Sequence, residues 1–158
     1  MEATEKCATT LPSAARGGPV SHAVSRVARL HRNAAGRLLR GLGLHPGQEL
    51  VMMRLWEGGP ARQSDLIRLL DLDPSTVTKM LQRLEQAGHV RRAADPADRR
   101  AVLVEATEES GALLEQVERA WEELEAQTLA GLDVGERRQL LVLLGRVESN
   151  LCPESTGR

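Results

Sequence analysis

Two short stretches in the middle of the chain carry apolar residues at helical spacing and predict a pair of helices joined by a tight turn. The apolar face of the first consists of Leu66, Ile67 and Leu70. The second follows Asp73, a favoured N-cap, and Pro74, which suits the first helical position. Its apolar positions are Val77, Met80, Leu81 and Leu84. Gly88 stands where a left-handed C-cap is expected, so the pattern predicts a helix-turn-helix.

The residues that follow the second helix predict a β-hairpin, with strands at residues 89–93 and 101–106. Between them, residues 95–100 form a polar, proline-containing turn. A hairpin in this place is expected to be the wing of a winged helix. Its tip carries Arg99 and Arg100, and long cations on an exposed loop suit a phosphate backbone or a narrow minor groove. The pattern therefore favours a protein that binds DNA.

Apolar seams also run along helices predicted before this region. The first helix spans residues 20–40, and its seam advances in alternating steps of four and three. The seam positions are Val20, Val24, Val27, His31, Ala34 and Leu38. A second helix is expected to begin with Pro46 at the first helical position and to end at residues 58–60. Its apolar residues, which predict that it is mostly buried, are Leu50, Val51, Met53, Leu55 and Trp56.

Two more helices are predicted after the hairpin. Thr107 is expected to cap a long one, because Glu108 and Glu109 in the first turn favour the helix dipole. Its seam is Leu114, Val117, Trp121, Leu124 and Thr128. Asp133 with Glu136 approaches a capping box for the last helix, which is expected to run to about residue 150. The stripe of that helix is Leu140, Leu144, Val147 and Leu151.

The inner region can fold by itself, which leaves the seams of the first and the last two helices uncovered. An uncovered seam implies a partner, most simply a second copy. The alternative is that these helices pack on each other within a monomer. The predicted interface residues are Val20, Val24, Val27, Trp121, Leu140, Leu144, Val147 and Leu151.

The predicted fold is mainly α (α+β), a winged helix-turn-helix domain with N- and C-terminal dimerisation helices. Its parts are a mobile arm (1–19), a first dimerisation helix (20–45), a winged helix-turn-helix lobe (46–106), C-terminal dimerisation helices (107–151) and a tail (152–158).

Composition and charge add limits. Trp56 and Trp121 are the only aromatic residues among 158, so the core must be built from Leu, Val, Ala and Met. No apolar run is long enough to span a membrane and no signal-peptide pattern is present, which predicts a cytoplasmic protein with Cys7 and Cys152 as free thiols. The net charge of −1 conceals a basic segment at residues 16–40 and an acidic one at residues 105–136. DNA binding needs local positive potential rather than a positive total.

Taken together, these motifs resemble the MarR (multiple antibiotic resistance regulator) family of winged-helix repressors. The residues that carry the resemblance are QSDL at 63–66, DPSTVTK at 73–79, RLEQAG at 83–88, RR at 91–92, DPADRRA at 95–101 and TE at 107–108. The likeness covers about residues 20–151, and its most specific part is the Asp-x-Arg of the wing, Asp98 and Arg100.

The resemblance implies an obligate homodimer that binds a palindromic operator in double-stranded DNA and releases it on binding a small-molecule effector. The helix over residues 74–87 would enter the major groove, and the wing would reach the minor groove. Arg100 would be the wing arginine, and Asp98 would pair with an arginine to orient the tip. Arg62 replaces the Ser or Thr that often caps the helix near Gln63. The candidate DNA contacts are Arg62, Gln63, Ser64, Ser75, Thr76, Thr78, Lys79, Arg83, Asp98, Arg99 and Arg100.

An effector site is expected between the first two helices and the acidic helix. Its candidate residues are His31, Met52, Met53 and Trp56. The alternative is a place in the core for the last three and a packed or interface position for His31. Most of the aromatic residues that line the family's pocket are missing. We expect no metal, cofactor or catalytic residues, because the four histidines lack metal-ligand spacing and no nucleophile–base pair is present. Two alternatives stay open: a thiol redox sensor that uses Cys7 or Cys152, and a protein-interaction module.

Overall fold

A computed structural model describes residues 10–152, and it is mainly helical with one small antiparallel sheet, as predicted. The elements are α1 (Pro19–Arg40), α2 (Gln48–Gly58), β1 (Ala61–Arg62), α3 (Gln63–Leu70), α4 (Pro74–Gln86), β2 (Val90–Asp95), β3 (Asp98–Ala106), α5 (Gly111–Thr128) and α6 (Val134–Leu151). Short 3₁₀ turns lie at Ser13–Ala15 and Glu108–Ser110. The chain divides into two compact units, one ending at Trp121 and one beginning at Glu122. Most of the predicted tail and residues 1–9 of the predicted arm lie outside the described part.

Helices α3 and α4 form the predicted helix-turn-helix, and local signals set the ends of α4. Asp73 caps it by accepting a hydrogen bond from the backbone N–H of Thr76 at 3.0 Å. At the other end Gly88 has a φ of 82°, and its N–H and that of His89 bond back to carbonyls of the last helical turn. These two bonds form a Schellman motif, which ends the helix at the predicted place.

The predicted apolar face of α4 is buried in the core of the first unit, whereas that of α3 is buried at Leu66 and only partly buried at Ile67 and Leu70. From these helices Leu66, Val77, Met80, Leu81 and Leu84 are buried. The same cluster includes Val51, Met52 and Leu55 of α2, Val90 and Val104 of the sheet, and Leu113 and Val117 of α5. Full burial of one such side chain stabilises a fold by about 1.5–3 kcal/mol, so this cluster is the main support of the helix-turn-helix.

The sheet has the strand order β1-β3-β2, and the sequence pattern does not predict β1. Ala61 and Arg62 pair antiparallel with Val104 and Leu103 of β3. Two residues are too few to show the alternation of a strand. This pairing places the start of α3 beside the wing.

The wing has a shorter turn than predicted. β2 extends to Asp95 and β3 begins at Asp98, so the turn shrinks from residues 95–100 to residues 96 and 97. Arg99 and Arg100 therefore lie in β3 and not in the turn, which corrects the prediction. They have no register partner on β2, because the pairing shifts between residues 102 and 98 of β3. This irregularity leaves both side chains exposed at the tip.

Helix α2 begins later than predicted, at Gln48, so Pro46 is not its first residue. Gly47 precedes it with a φ of 97°, a conformation that favours glycine. A Cβ at Gly47 would also lie 3.2 Å from Cε of Met80. The positive φ delays the start of the helix beyond the position that proline would favour.

Polar side chains close the turn before α2. Gln48 accepts a hydrogen bond from the backbone N–H of His45 at 2.9 Å, and Glu49 accepts one from that of Gly47 at 2.8 Å. Both side chains are buried, and burial raises the pKa of Glu49. Leu50 is exposed, contrary to the prediction, because the helix turns Val51, Met52 and Leu55 toward the core instead.

Helix α5 follows a 3₁₀ turn and does not begin directly at Thr107. The hydroxyl of Thr107 donates to the carbonyl of Gly88 at 2.5 Å and makes no cap bond, which corrects its predicted role. The buried stripe also differs from the predicted seam. Its residues are Leu113, Val117 and Leu124, whereas Leu114 is half-buried and Trp121 and Thr128 are exposed.

Helix α6 begins with a capping box, as predicted. Asp133 accepts from the backbone N–H of Glu136 and Glu136 accepts from that of Asp133, both at 2.9 Å. Arg137 donates to the carbonyls of Leu129 and Leu132 in the connection that follows α5. These contacts fix the connection between α5 and α6 within the second unit.

Apolar side chains remain exposed on α1 and, separately, on α6. Those of α1 are Val20, Val24, Val27 and Leu30. Those of α6 are Val134, Leu141, Val142, Leu143, Leu144 and Leu151, whereas Leu140 and Val147 are half-buried. Exposure reaches 70% at Val20 and 75% at Val134. The dimer interface itself stays a prediction.

Candidate nucleic-acid interface

The leading end of α4 is organised by the carboxylate of Asp73. It accepts hydrogen bonds from the hydroxyls of Ser75 and Thr76 as well as from the Thr76 backbone. These bonds, with the Ser75 hydroxyl as the largest cause, lower the pKa of Asp73 to about 2. Both hydroxyls are exposed, but each already donates its proton. They are therefore better placed to accept a hydrogen bond from a base than to donate one.

Thr78 connects the two helices of the helix-turn-helix. Its hydroxyl donates to the carbonyl of Pro74 at 2.8 Å and accepts from Nε2 of Gln63 at 3.0 Å. Both Gln63 and Thr78 are half-buried, whereas Ser64 is exposed. The bond holds the amide of Gln63 next to the exposed face of α4. Two predicted contact residues thus lie side by side, and Thr78 fixes the orientation of the Gln63 amide.

Four cations on the proposed surface lack an acidic partner. Lys79 and Arg83 are exposed on α4, and Arg99 and Arg100 are exposed on β3. Within residues 10–152, no carboxylate lies at ion-pair distance from any of the four. Their charges are not neutralised locally, which leaves them available to phosphate groups.

The acidic residues of the wing have different partners from those predicted. Asp98 accepts from the backbone N–H of Arg100 at 3.1 Å, which is a turn-stabilising bond and not an arginine pair. Arg62 instead pairs with Asp95, with Nε and Oδ2 at 2.8 Å. Arg62 makes no side-chain cap bond to α3, so the weak cap predicted there is confirmed. Sequence reasoning missed Asp95, and its partner lies too far away in the chain for a local signal.

Two further arginines hold the base of the wing. Arg92 donates to Glu85 of α4 at 3.0 Å, and its backbone N–H donates to the same carboxylate. This contact lowers the pKa of Glu85. On the neighbouring strands Arg91 pairs with Glu105. The first of these pairs joins α4 to the wing, and the sequence pattern predicts this role for neither residue.

The residues predicted for an effector site occupy different environments. Met52 is fully buried, Met53 and Trp56 pack at the edge of the core, and His31 is half-buried. The Trp56 indole N–H donates to the hydroxyl of Ser110 at 3.0 Å, and that hydroxyl donates to the carbonyl of Thr107 at 2.6 Å. Ser110 is only 1% exposed. Trp56 is therefore linked by hydrogen bonds to the segment that follows the wing.

Other kinds of site find no support in the part of the chain that the structure describes. No group of three or more His, Cys, Asp or Glu side chains there is arranged to hold a metal ion. Cys152 is exposed and is not in a disulfide, and Cys7 lies outside the described residues. None of the helices described has both the length and the hydropathy required to span a membrane.

Comparison with known proteins identifies the family. A profile of the MarR family matches residues 44–102. The crystal structure of a probable transcriptional regulator from Pseudomonas aeruginosa is 31% identical and superposes with a TM-score of 0.72 over 83% of this chain and 98% of that one. The chain belongs to the MarR family. The match includes α2, the helix-turn-helix and most of the wing, which are the elements that carry the candidate interface.

Proteins similar to this chain include a transcriptional repressor, a protein solved with operator DNA and one whose DNA binding is regulated by a small molecule. The transcriptional repressor NicR of Pseudomonas putida is 32% identical over 100 residues, which is 63% of either chain. A mutant of Escherichia coli MarR, solved in complex with operator DNA, is 25% identical with a TM-score of 0.76 over 86% of this chain and 98% of that one. BpsR of Bordetella bronchiseptica, whose DNA binding is regulated by 6-hydroxynicotinic acid, is 27% identical with a TM-score of 0.73 over 84% and 95%.

Proposed function

We propose that the chain is a dimeric, sequence-specific DNA-binding transcriptional repressor that occupies a palindromic operator. The observation that carries the proposal is the set of four unpaired cations. They project from the two elements that a winged helix directs at DNA, α4 and the wing. The nearby arginines Arg62, Arg91 and Arg92 are all paired with carboxylates. A local excess of positive charge thus arises although the whole chain carries a net charge of −1.

Base recognition falls to the polar residues at the leading end of α4 and to Gln63. In the proposed complex Ser75, Thr76 and Gln63 face base edges, while Lys79 and Arg83 bind phosphates. The arginines of the wing bind in or along the minor groove. The complex of the E. coli MarR mutant with operator DNA supports this arrangement, because its fold matches that of this chain.

A homodimer and an effector complete the proposal. The exposed apolar side chains of α1, and those of α6, are the surfaces that a second copy would cover. The effector is a small molecule bound near Trp56, as suggested by the regulation of BpsR by 6-hydroxynicotinic acid. Binding would favour a half-site spacing that no longer fits the operator. The proposal includes a cytoplasmic location, no enzymatic activity and no cofactor.

The decisive experiment selects binding sites from random double-stranded DNA with the full-length protein. The expected sequences are inverted repeats, and the centres of their two half-sites should lie about 10 base pairs apart, which is one helical turn. Affinity should fall steeply with salt, and light scattering should show a dimer. Failure to enrich any sequence at low salt would contradict the proposal and favour a protein-interaction module. No observation on the described residues favours a thiol redox sensor.

A further inference from the structure

The ion pair of Arg62 and Asp95 joins two separate parts of the proposed DNA-binding surface. Arg62 belongs to β1 and is the N-cap residue of α3, whereas Asp95 ends β2 beside the wing turn. Since β3 lies between β1 and β2, the Arg62 side chain crosses β3 to reach its partner. The pair therefore connects the helix-turn-helix to the tip of the wing.

The two oxygens of the Asp95 carboxylate bind different elements. Oδ2 accepts from Nε of Arg62 at 2.8 Å, and Oδ1 accepts from the backbone N–H of Ala97 in the turn at 2.9 Å. Asp95 is only 8% exposed, although the Arg62 side chain is 43% exposed. The pKa of Asp95 is lowered, mainly by the Ala97 N–H and further by Arg62. A buried carboxylate that is held on both sides is a fixed point at the otherwise exposed end of the hairpin.

We infer that Asp95 and Arg62 are positioning residues, which fix the wing tip relative to α3 and so determine where Arg99 and Arg100 meet DNA. This inference rests on the proposed function. Arg99 and Arg100 lie on β3 immediately after Asp98 and have no register partners on β2, so the ladder does not set their direction. The bond of Asp95 to the Ala97 N–H and its ion pair with Arg62 tie the turn to β1, and the Asp98 bond to the Arg100 N–H acts only within the tip. Because loss of Asp95 removes a negative charge near phosphate, electrostatics alone predicts tighter binding, whereas positioning predicts weaker binding.

The test compares Asp95→Asn with Glu105→Gln, its matched control. Each change removes one carboxylate from the same sheet and releases one arginine, but Glu105 pairs only within the wing, with Arg91. We expect Asp95→Asn to weaken DNA binding about tenfold, the equivalent of one charged hydrogen bond, and Glu105→Gln to bind equally well or more tightly. Equal or tighter binding by Asp95→Asn would overturn the inference. The double variant with Arg62→Gln should bind no more weakly than the weaker single variant, and additive losses would show that the two residues act separately.

Amide hydrogen exchange in the free protein separates this inference from the proposed function. Arg62→Gln leaves the acceptor of the Ala97 N–H in place, so faster exchange at Ala97 shows that Arg62 acts through Asp95. The Glu105→Gln control should leave this exchange rate unchanged. An unchanged rate in Arg62→Gln would refute the positioning role even if the protein binds no DNA. If the unmodified protein binds no DNA but the exchange rate responds, the proposed function fails and the structural link stands.

Discussion

Replacement of Thr78 by valine tests whether one hydrogen bond holds the two helices of the helix-turn-helix together. The Thr78 hydroxyl donates to the Pro74 carbonyl at 2.8 Å and accepts from Nε2 of Gln63 at 3.0 Å. Valine keeps the branched shape and has a similar helix propensity, so the change isolates the hydroxyl. Thr78→Ser, which retains the hydroxyl, is the matched control.

The size of the effect follows from the burial of the two side chains. A neutral hydrogen bond contributes about 0.5–1.5 kcal/mol net, and water can replace part of the loss when both partners are only half-buried. We therefore expect Thr78→Val to lower the free energy of unfolding by about 1 kcal/mol. In a Gln63→Met background the part of this loss that comes from the Gln63 bond should disappear, whereas the bond to the Pro74 carbonyl is lost in either background.

Urea unfolding at one fixed protein concentration measures the effect, since the stability of a dimer depends on concentration. The midpoint should fall while the m-value stays the same. A coupling energy between Gln63 and Thr78 below about 0.3 kcal/mol, the level at which independent sites add, would refute the reasoning. If Gln63 reads a base, Thr78→Val should also reduce discrimination between operator variants by about 1–3 kcal/mol per base pair read.

Four other changes test separate parts of the structure. Leu144→Asp should give a monomer by light scattering at micromolar concentration, because a charge in a dry interface costs several kcal/mol; a monomeric unmodified protein would contradict the interface. Because the pKa of Glu49 is raised above its ordinary value of 4.5, the unmodified protein should lose free energy of unfolding as the pH rises above 4.5, and Glu49→Gln should remove that loss. An equal dependence of stability on pH in both proteins would argue against the raised pKa. Ser110→Ala should shift Trp56 emission and cost about 1–2 kcal/mol, and unchanged emission would exclude the bond. Arg100→Ala should lower the salt slope of DNA binding by roughly 0.9 for each phosphate that Arg100 neutralises in each subunit, and an unchanged slope would place Arg100 away from phosphate.

Features encoded by neighbouring residues could be predicted from the sequence. The Asp73 cap, the Gly88 end and the apolar face of α4 all depend on residues within a few positions of each other, and the structure confirms them. The capping box at the start of α6 is a local signal of the same kind. The Asp-x-Arg motif of the wing is also a local signal, and the family that it indicates is confirmed by the match to the MarR profile.

Features that depend on distant residues could not be predicted. The turn of the wing is two residues long because of the register between β2 and β3, which the composition of the turn does not specify. Asp95 finds a partner 33 positions away across the sheet, whereas the family resemblance implies an arginine pair for Asp98. The half-burial of Thr78 likewise follows from the contact with Gln63 of the preceding helix. In each case tertiary contacts determine the role of a side chain that the sequence correctly places near the site.

The cations near the proposed DNA-binding surface fall into two groups. Some form ion pairs within the protein, and the others are available to DNA. Arg62, Arg91 and Arg92 each have a carboxylate partner, so binding to phosphate would require them to share or give up that partner. The unpaired Lys79, Arg83, Arg99 and Arg100 incur no such cost. The dependence of DNA affinity on salt should therefore correspond to about four cations per subunit, although the chain contains many more arginines. Because Arg62 and Arg92 fix the wing to the start of α3 and to α4, their contribution should appear in specificity and in the order of the wing more than in the salt slope.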